Sequence, residues 1–204
     1  MSPGTVSPLA QIKALTFDVF GTVVDWRTSV VDELALRAHR KLAAPDTSPE
    51  LRARLEALAA GDDGGWPRFA QAWRKSYAAF TRSFDPSRDA WRTVDQHHRE
   101  SLAVLLREWG LGDAYSDAEV ESLSLVWHRL SPWPDSAEGL HALGSASTSA
   151  TTTTTGGGGG CGLVTATLSN GNLALLRDLD DFGALGFREL LSAETFGAYK
   201  PSLR

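Results

Sequence analysis

This sequence has little cysteine, no long apolar run and no excess of basic charge. Its single cysteine, Cys161, excludes an internal disulfide framework and a cysteine-based zinc site. No apolar run reaches the length of a membrane span, and residues 1–8 lack the charged and apolar regions of a signal peptide, so we expect a cytoplasmic protein. Asp and Glu (25) outnumber Lys and Arg (20), and the net charge of −5 provides no basic surface for nucleic acid or anionic membranes.

The composition that remains is that of an ordinary globular protein, with 42% hydrophobic and 22% charged residues. A chain of 204 residues is long enough for one α/β domain with a modest second subdomain. Residues 144–160 are an exception, because they consist almost entirely of Gly, Ser, Thr and Ala. Such a composition cannot bury a core, and we expect a flexible, catalytically silent insertion there.

The first strong pattern is a short apolar run, 12–17, that ends at Asp18. Its β-branched and aromatic residues predict a strand that is buried on both faces of a parallel sheet. Ligands bind at the carboxyl ends of such strands, so Asp18 could face a pocket. Aspartate also caps turns frequently, and Gly21 and Thr22 follow, so position alone leaves the two interpretations even.

The segment after this strand has helical periodicity and no convincing strand. Its helices suggest a cap subdomain, residues 28–135, inserted into a core formed by residues 1–27 and 136–204. Ser48 before Pro49, and Ser116 with Glu119, are typical of helix starts. The predicted cap helices cover about 30–42, 49–60, 67–82, 89–109 and 116–130.

Two further strands are predicted in the core, over 163–168 and 187–191, with helices at about 137–143 and 172–181. The first of these strands delivers Ser169 and Asn170 at its carboxyl end. Strands alternating with helices favour a Rossmann-like α/β core with a parallel sheet. Three strands are few for a doubly wound sheet, so we expect a C-terminally incomplete core.

The segment 17–26, Phe-Asp-Val-Phe-Gly-Thr-Val-Val-Asp-Trp, resembles the first motif of the haloacid dehalogenase superfamily, and in particular its 2-haloacid dehalogenase branch. The resemblance implies that Asp18 is the nucleophile. Most superfamily members are phosphatases, in which a second aspartate two residues later protonates the leaving alkoxide. Here that position is Phe20, which can neither donate a proton nor hold a metal, whereas a halide leaves without needing a proton.

Two later segments resemble further motifs of the same family. Leu168-Ser169-Asn170-Gly171 is similar to the second motif, in which Ser169 and Asn170 would bind the substrate carboxylate. Tyr199-Lys200-Pro201 is similar to the third, which implies that Lys200 lies beside Asp18 and keeps it ionised. Taken alone, the segment 168–171 is also typical of a turn, and Lys200 is also typical of a solvated surface lysine.

The resemblance implies three more site residues. Thr22 closes the loop around Asp18, and Val19, which follows the nucleophile, would contact substrate. Arg74 lies in the third cap helix, where the dehalogenases place an arginine that receives the departing halide. An exposed helix arginine without a catalytic role is an equally good interpretation of Arg74.

The implied reaction is hydrolysis of a short 2-haloalkanoic acid through an aspartyl ester, giving a 2-hydroxy acid and halide. It needs no metal or organic cofactor, and we assign no histidine a catalytic or metal-binding role. The expected partner is the small 2-haloacid itself, and a homodimer is possible by family resemblance. The acidic fourth motif is missing, so a truncated, non-catalytic member stays open as an alternative. A second alternative is a magnesium-dependent phosphohydrolase, which Phe20 opposes.

Overall fold

A computed structural model describes residues 11–60, 65–145 and 162–201 of the protein. Its sheet has three parallel strands in the order β1-β2-β3, with Phe17 opposite Thr167 and Leu168 opposite Leu191. The predicted α/β fold with a parallel sheet is therefore confirmed. The strands are β1 (Ala14–Phe17), β2 (Val164–Ser169) and β3 (Glu189–Ser192).

The first strand is less buried than its sequence predicts. Residues of β1 alternate between exposed and partly buried, whereas Thr165, Ala166 and Thr167 of β2 are buried. Within the described ranges β1 pairs with β2 alone, so it is an edge strand with one neighbour. The prediction that the 12–17 run is buried on both faces is therefore wrong here.

A series of helices, here called the helical segment, lies between β1 and β2 in the described part of the chain and includes the region predicted as a cap. Ser48 accepts a hydrogen bond from the Leu51 amide at one helix start, and Ser116 with Glu119 forms a capping box at another. Both predicted helix starts are confirmed. The helices are α1 (Trp26–Ala43), α2 (Pro49–Ala59), α3 (Trp66–Ser83), α4 (Val94–Glu108) and α5 (Asp117–Ser124), followed by a 3₁₀ helix (Leu125–His128).

Two predicted cap helices have different bounds. The fourth begins at Val94 rather than near residue 89, because Thr93 and Gln96 form a capping box that fixes its start. The fifth ends at Ser124, whose hydroxyl donates back to the Glu121 carbonyl, and the chain continues as the 3₁₀ helix. That tighter turn directs His128 inward, where it is 7% exposed.

The remaining helices are α6 (Ser136–Ser145), α7 (Leu173–Gly183) and the short α8 (Ala193–Phe196), which was not predicted. Helix α6 includes Gly144 and Ser145, so the predicted flexible insertion does not begin at residue 144. The rest of that insertion, 146–160, lies outside the described residues. In the part of the chain that is described, no helix is long and apolar enough to cross a membrane.

One hydrophobic cluster joins the helical segment to the sheet. At its centre the Trp127 ring stacks on His98 with centroids 4.4 Å apart, and contacts Trp73 and Trp26 at 5.4 and 6.0 Å. Trp73 and Trp127 are fully buried. This packing places α3 and α4 over the carboxyl ends of β1 and β2.

Candidate active site

The carboxylate predicted to be the nucleophile lies directly after β1. Thr22 donates a hydrogen bond from Oγ1 to Oδ2 of Asp18 across 3.1 Å. The intervening turn needs Gly21, whose φ of +95° is strained for any residue with a Cβ. The turn therefore brings Thr22 back to the strand end, as the resemblance implies.

The second oxygen of Asp18 is held from the far end of the chain. Lys200 donates from Nζ to Oδ1 across 2.8 Å, and the same ammonium donates to the carbonyl of Leu168. The two side chains keep 36% and 49% of their exposure, so solvent reaches this ion pair. Each carboxylate oxygen of Asp18 thus has a donor, and one face remains open.

Asn170 acts as a clamp on Lys200. Its Oδ1 accepts from the Lys200 amide at 2.6 Å, and its Nδ2 donates to the Lys200 carbonyl at 3.3 Å. Both hydrogen bonds fix the backbone that carries the ammonium. The structure therefore brings Asp18, Thr22, Lys200 and Asn170 together at one edge of the sheet.

Ser169 is buried, and its hydroxyl bonds to the protein backbone rather than facing open space. It is 2% exposed, and its hydroxyl accepts a hydrogen bond from the Gly171 amide at 3.2 Å. Ser192 donates to the Gly171 carbonyl at 2.6 Å. The Ser169 hydroxyl thus shapes the turn that contains Asn170, and contact of Ser169 with substrate stays a prediction.

Val19 is the other predicted residue whose side chain does not line open space. It is 1% exposed and belongs to the hydrophobic cluster. Its carbonyl accepts from the amides of Val23 and Val24 at 2.9 and 3.1 Å. Any contact of Val19 with substrate must therefore use its backbone, and that contact also stays a prediction.

Arg74 projects from α3 toward Asp18 and lies among aromatic rings. Its guanidinium carbon is 4.5 Å from the Tyr77 ring centroid, 5.6 Å from Trp26 and 5.8 Å from Phe20. Burial lowers the pKa of Arg74, while interactions with the Tyr77 hydroxyl and the charge of Asp18 oppose that shift. Arginine stays protonated in such a site, so a positive charge faces Asp18 from the cap side.

Tyr77 is a site residue that the sequence reasoning missed. Burial raises the pKa of Tyr77, so its phenol is neutral, and its hydroxyl interacts electrostatically with the side chains of Asn170 and Arg74. The i, i+3 spacing from Arg74 puts both on one face of α3, a signal that could have identified it. Tyr77 links the cap arginine to the core asparagine.

The described residues offer little to a metal ion. Across 11–60, 65–145 and 162–201, no group of three or more His, Cys, Asp or Glu side chains is arranged as a metal site. The groups that face Asp18 are an ammonium, a hydroxyl and a guanidinium. Such donors suit an anionic substrate and an anionic leaving group.

No protein-family model matches the chain, and no curated protein matches it. Several solved structures do match the chain. The L-2-haloacid dehalogenase PA0810 is 31% identical, with a TM-score of 0.70, over 94% of this chain and 66% of that one. The defluorinating L-2-haloacid dehalogenase Rha0230 is 29% identical, with a TM-score of 0.69, over 94% and 64%.

A third structure, the L-2-haloacid dehalogenase from Xanthobacter autotrophicus with covalently bound chloropropionic acid, has a TM-score of 0.62. At 23% identity, over 93% of this chain and 60% of that one, it shows the shared fold alone. The chain spans slightly less than two thirds of the length of PA0810 and Rha0230. These similarities confirm the resemblance to the haloacid dehalogenase superfamily, and within it to the L-2-haloacid dehalogenases.

Proposed function

We propose that the chain hydrolyses short 2-haloalkanoic acids through an ester on Asp18. One observation supports this most directly: Asp18 lies at the end of β1 with donors on both oxygens, Thr22 and Lys200, while Arg74 faces it from α3. A positioned carboxylate is a suitable nucleophile, and a cationic group opposite it suits a departing anion. The similarity to L-2-haloacid dehalogenases supports the same assignment.

In the first step, an oxygen of Asp18 attacks C2 of the substrate in line with the carbon–halogen bond. The new C–O bond forms as the C–X bond breaks, and the halide leaves with the bonding electron pair. Halide is a stable anion and takes up no proton, so the reaction does not need an acid at position 20. Phe20 occupies that position and cannot supply one.

In the second step, water adds to the carbonyl carbon of the aspartyl ester. The ester C–O bond to Asp18 breaks on the enzyme side, which releases the 2-hydroxy acid and restores the carboxylate. One water is consumed and one proton is released for each halide. Lys200 stays beside the carboxyl group in both steps and stabilises the negative charge that develops there.

The substrate carboxylate is recognised by the turn after β2. Asn170 donates one N–H of Nδ2 to the Lys200 carbonyl and keeps a second N–H for the substrate carboxylate, and Ser169 fixes the turn through Gly171. Arg74 balances the charge of the departing halide while the rings around it exclude water. In this proposal residues 28–135 form a cap over a core of 1–27 and 136–204, and Arg74 and Tyr77 are what the cap contributes.

The test measures halide release from each enantiomer of 2-chloropropionate and from chloroacetate, with a chelator present. Repeated turnover with one enantiomer is expected. The intact mass of the protein, recorded during turnover, should show the ester adduct, and peptide mapping after proteolysis should place it on a peptide containing Asp18. Hydrolysis of p-nitrophenyl phosphate only with magnesium, and no halide release, would instead identify a phosphohydrolase.

Asp18→Asn and Asp32→Asn provide the matched pair for this experiment. Asp32 is an exposed carboxylate on α1, so its variant should keep full activity. Asp18→Asn should release no halide and form no adduct, and its mass is checked for reversion to aspartate by deamidation. One equivalent of halide with a lasting adduct in the unmodified chain would show attack without turnover, and would contradict the hydrolytic half of the proposal.

A further inference from the structure

A buried histidine outside the active site bridges two carboxylates from two different elements. His128, at the end of the 3₁₀ helix, contacts Asp95 of α4 through Nε2 at 3.0 Å and Asp178 of α7 through Nδ1 at 2.6 Å. Its side chain is 8% exposed, while that of Asp178 is 60% exposed. The imidazole therefore ties the helical segment to the first helix after β2.

Asp95 carries the connection onward. Its Oδ2 accepts from Nδ2 of Asn172 at 2.7 Å, and its amide donates to Oδ1 of Asn172 at 3.3 Å. Asn172 is the N-cap of α7 and ends the turn that contains Asn170. Because Asn170 clamps the backbone of Lys200, a continuous series of hydrogen bonds and covalent bonds runs from His128 to the ammonium beside Asp18.

The two contacts of His128 require a proton on each ring nitrogen. A neutral imidazole has one N–H donor, so it can satisfy one carboxylate while its lone pair opposes the other. Burial on its own lowers the pKa of His128, but the hydrogen bonds with Asp95 and Asp178 outweigh it and raise the pKa. His98 of α4 interacts electrostatically with His128, and burial lowers the pKa of His98 and keeps it neutral.

We infer that His128 is a positioning residue. Its hydrogen bonds to both Asp95 and Asp178 hold the turn of residues 170–172 in place, and this turn aligns Lys200 on Asp18. The effect of His128 on catalysis rests on the proposed function, whereas its effect on the turn of residues 170–172 rests on the hydrogen bonds alone. Both hydrogen bonds form while His128 is protonated, and this paired contact is lost as the pH rises through its raised pKa.

Two substitutions separate the two contacts. In His128→Gln the amide nitrogen reaches about as far as Nε2 and can keep the bond to Asp95, whereas in His128→Asn it reaches about as far as Nδ1 and can keep the bond to Asp178. Both variants are neutral and similar in polarity. Since Asp95 leads to Asn172, we expect kcat to fall about tenfold in His128→Asn and about threefold or less in His128→Gln, with KM little changed.

The pH profile of kcat provides a readout that a purely structural role would not move. In the unmodified enzyme kcat should decline with rising pH as His128 loses its proton, and this limb should be absent from both His128 variants. Asp178→Asn, at an exposed position, should shift the limb to lower pH because one of the two carboxylates is gone. His39→Gln, on the exposed face of α1, is the control and should leave the profile unchanged.

Hydrogen exchange of residues 169–173 tests the inference without any turnover. Faster exchange there in His128→Asn than in His128→Gln, with both proteins folded by circular dichroism, would support it. Equal exchange in the two variants, or an Asp178→Asn profile that coincides with that of the unmodified enzyme, would overturn it. If the unmodified chain releases no halide, the proposed function fails, and the exchange comparison still decides the role of His128.

Discussion

Replacing Arg74 by lysine keeps the positive charge but removes the planar group that contacts three aromatic rings. The guanidinium carbon lies 4.5 Å from the Tyr77 ring and within 6 Å of those of Trp26 and Phe20. A lysine ammonium is compact and strongly hydrated, so it neither stacks on these rings nor offers a fork of N–H donors. Arg74→Gln removes the charge as well.

The environment of Arg74 sets the size of the expected effects. Arg74→Lys keeps the charge but not its placement over the rings, and because a misplaced group can cost up to about 100-fold, kcat/KM should fall about 30-fold. Loss of a preorganised donor to a developing anion lowers kcat by about 100- to 1,000-fold, which is the expectation for Arg74→Gln. The geometry thus predicts a ranked series in which the lysine variant is intermediate.

Steady-state halide release from 2-bromo- and 2-chloropropionate measures both variants. Chloride is the poorer leaving group and carries more concentrated charge, so the Arg74→Gln defect should be larger for the chloro substrate. Arg68 is the matched control: it lies on the same helix, over the Trp109 ring at 6.0 Å, and is exposed. Arg68→Lys and Arg68→Gln should retain activity, and equal activity of Arg74→Lys and the unmodified enzyme would refute this role of the guanidinium.

Other contacts give further predictions. Lys200→Met should lower kcat/KM by about 100-fold but change the urea midpoint little, because the ion pair with Asp18 is half-exposed and such pairs contribute about 1 kcal/mol or less. Tyr77→Phe should lower kcat about tenfold in steady-state assays, since it removes the hydroxyl that interacts with Asn170 and Arg74 but keeps the ring. Burial, and secondly the charge of Arg92, lowers the pKa of His97 to about 4, so His97 binds a proton more tightly in the unfolded chain. Urea unfolding should therefore show that the free energy of unfolding falls as the pH drops from about 6.5 toward 4.

Local sequence signals predicted most of the secondary structure because each depends on a few neighbouring residues. Ser48 and Ser116 start helices by accepting hydrogen bonds from amides three residues later, and both were identified. Thr93 and Gln96 form a capping box like that of Ser116 and Glu119, but this signal was not used, and the predicted helix starts too early. The sequence contained the correct signal in all three places.

The contacts that organise the site could not be predicted in the same way. Asp95 and Asn172 are 77 residues apart, and Asn170 and Lys200 are 30 apart, so no local pattern joins them. The family resemblance supplied Lys200 beside Asp18, but it did not supply what holds Lys200 in place. Burial of β1 was also mispredicted, since apolar character does not show how many neighbours a strand has.

Phe20 connects the chemistry of the site to its packing. Its ring meets Trp127 edge to face at 6.4 Å, lies 5.8 Å from the Arg74 guanidinium, and would be 3.3 Å from a Cβ added at Gly171. An aspartate at position 20 would put a second carboxylate near Arg74 and pair with it, which would withdraw the cation from a leaving halide. The phenyl ring instead leaves the guanidinium free of a carboxylate partner at that position and excludes water around it. Phe20 therefore replaces the proton donor of a phosphatase and, in the proposed function, also shapes the pocket that receives the leaving anion.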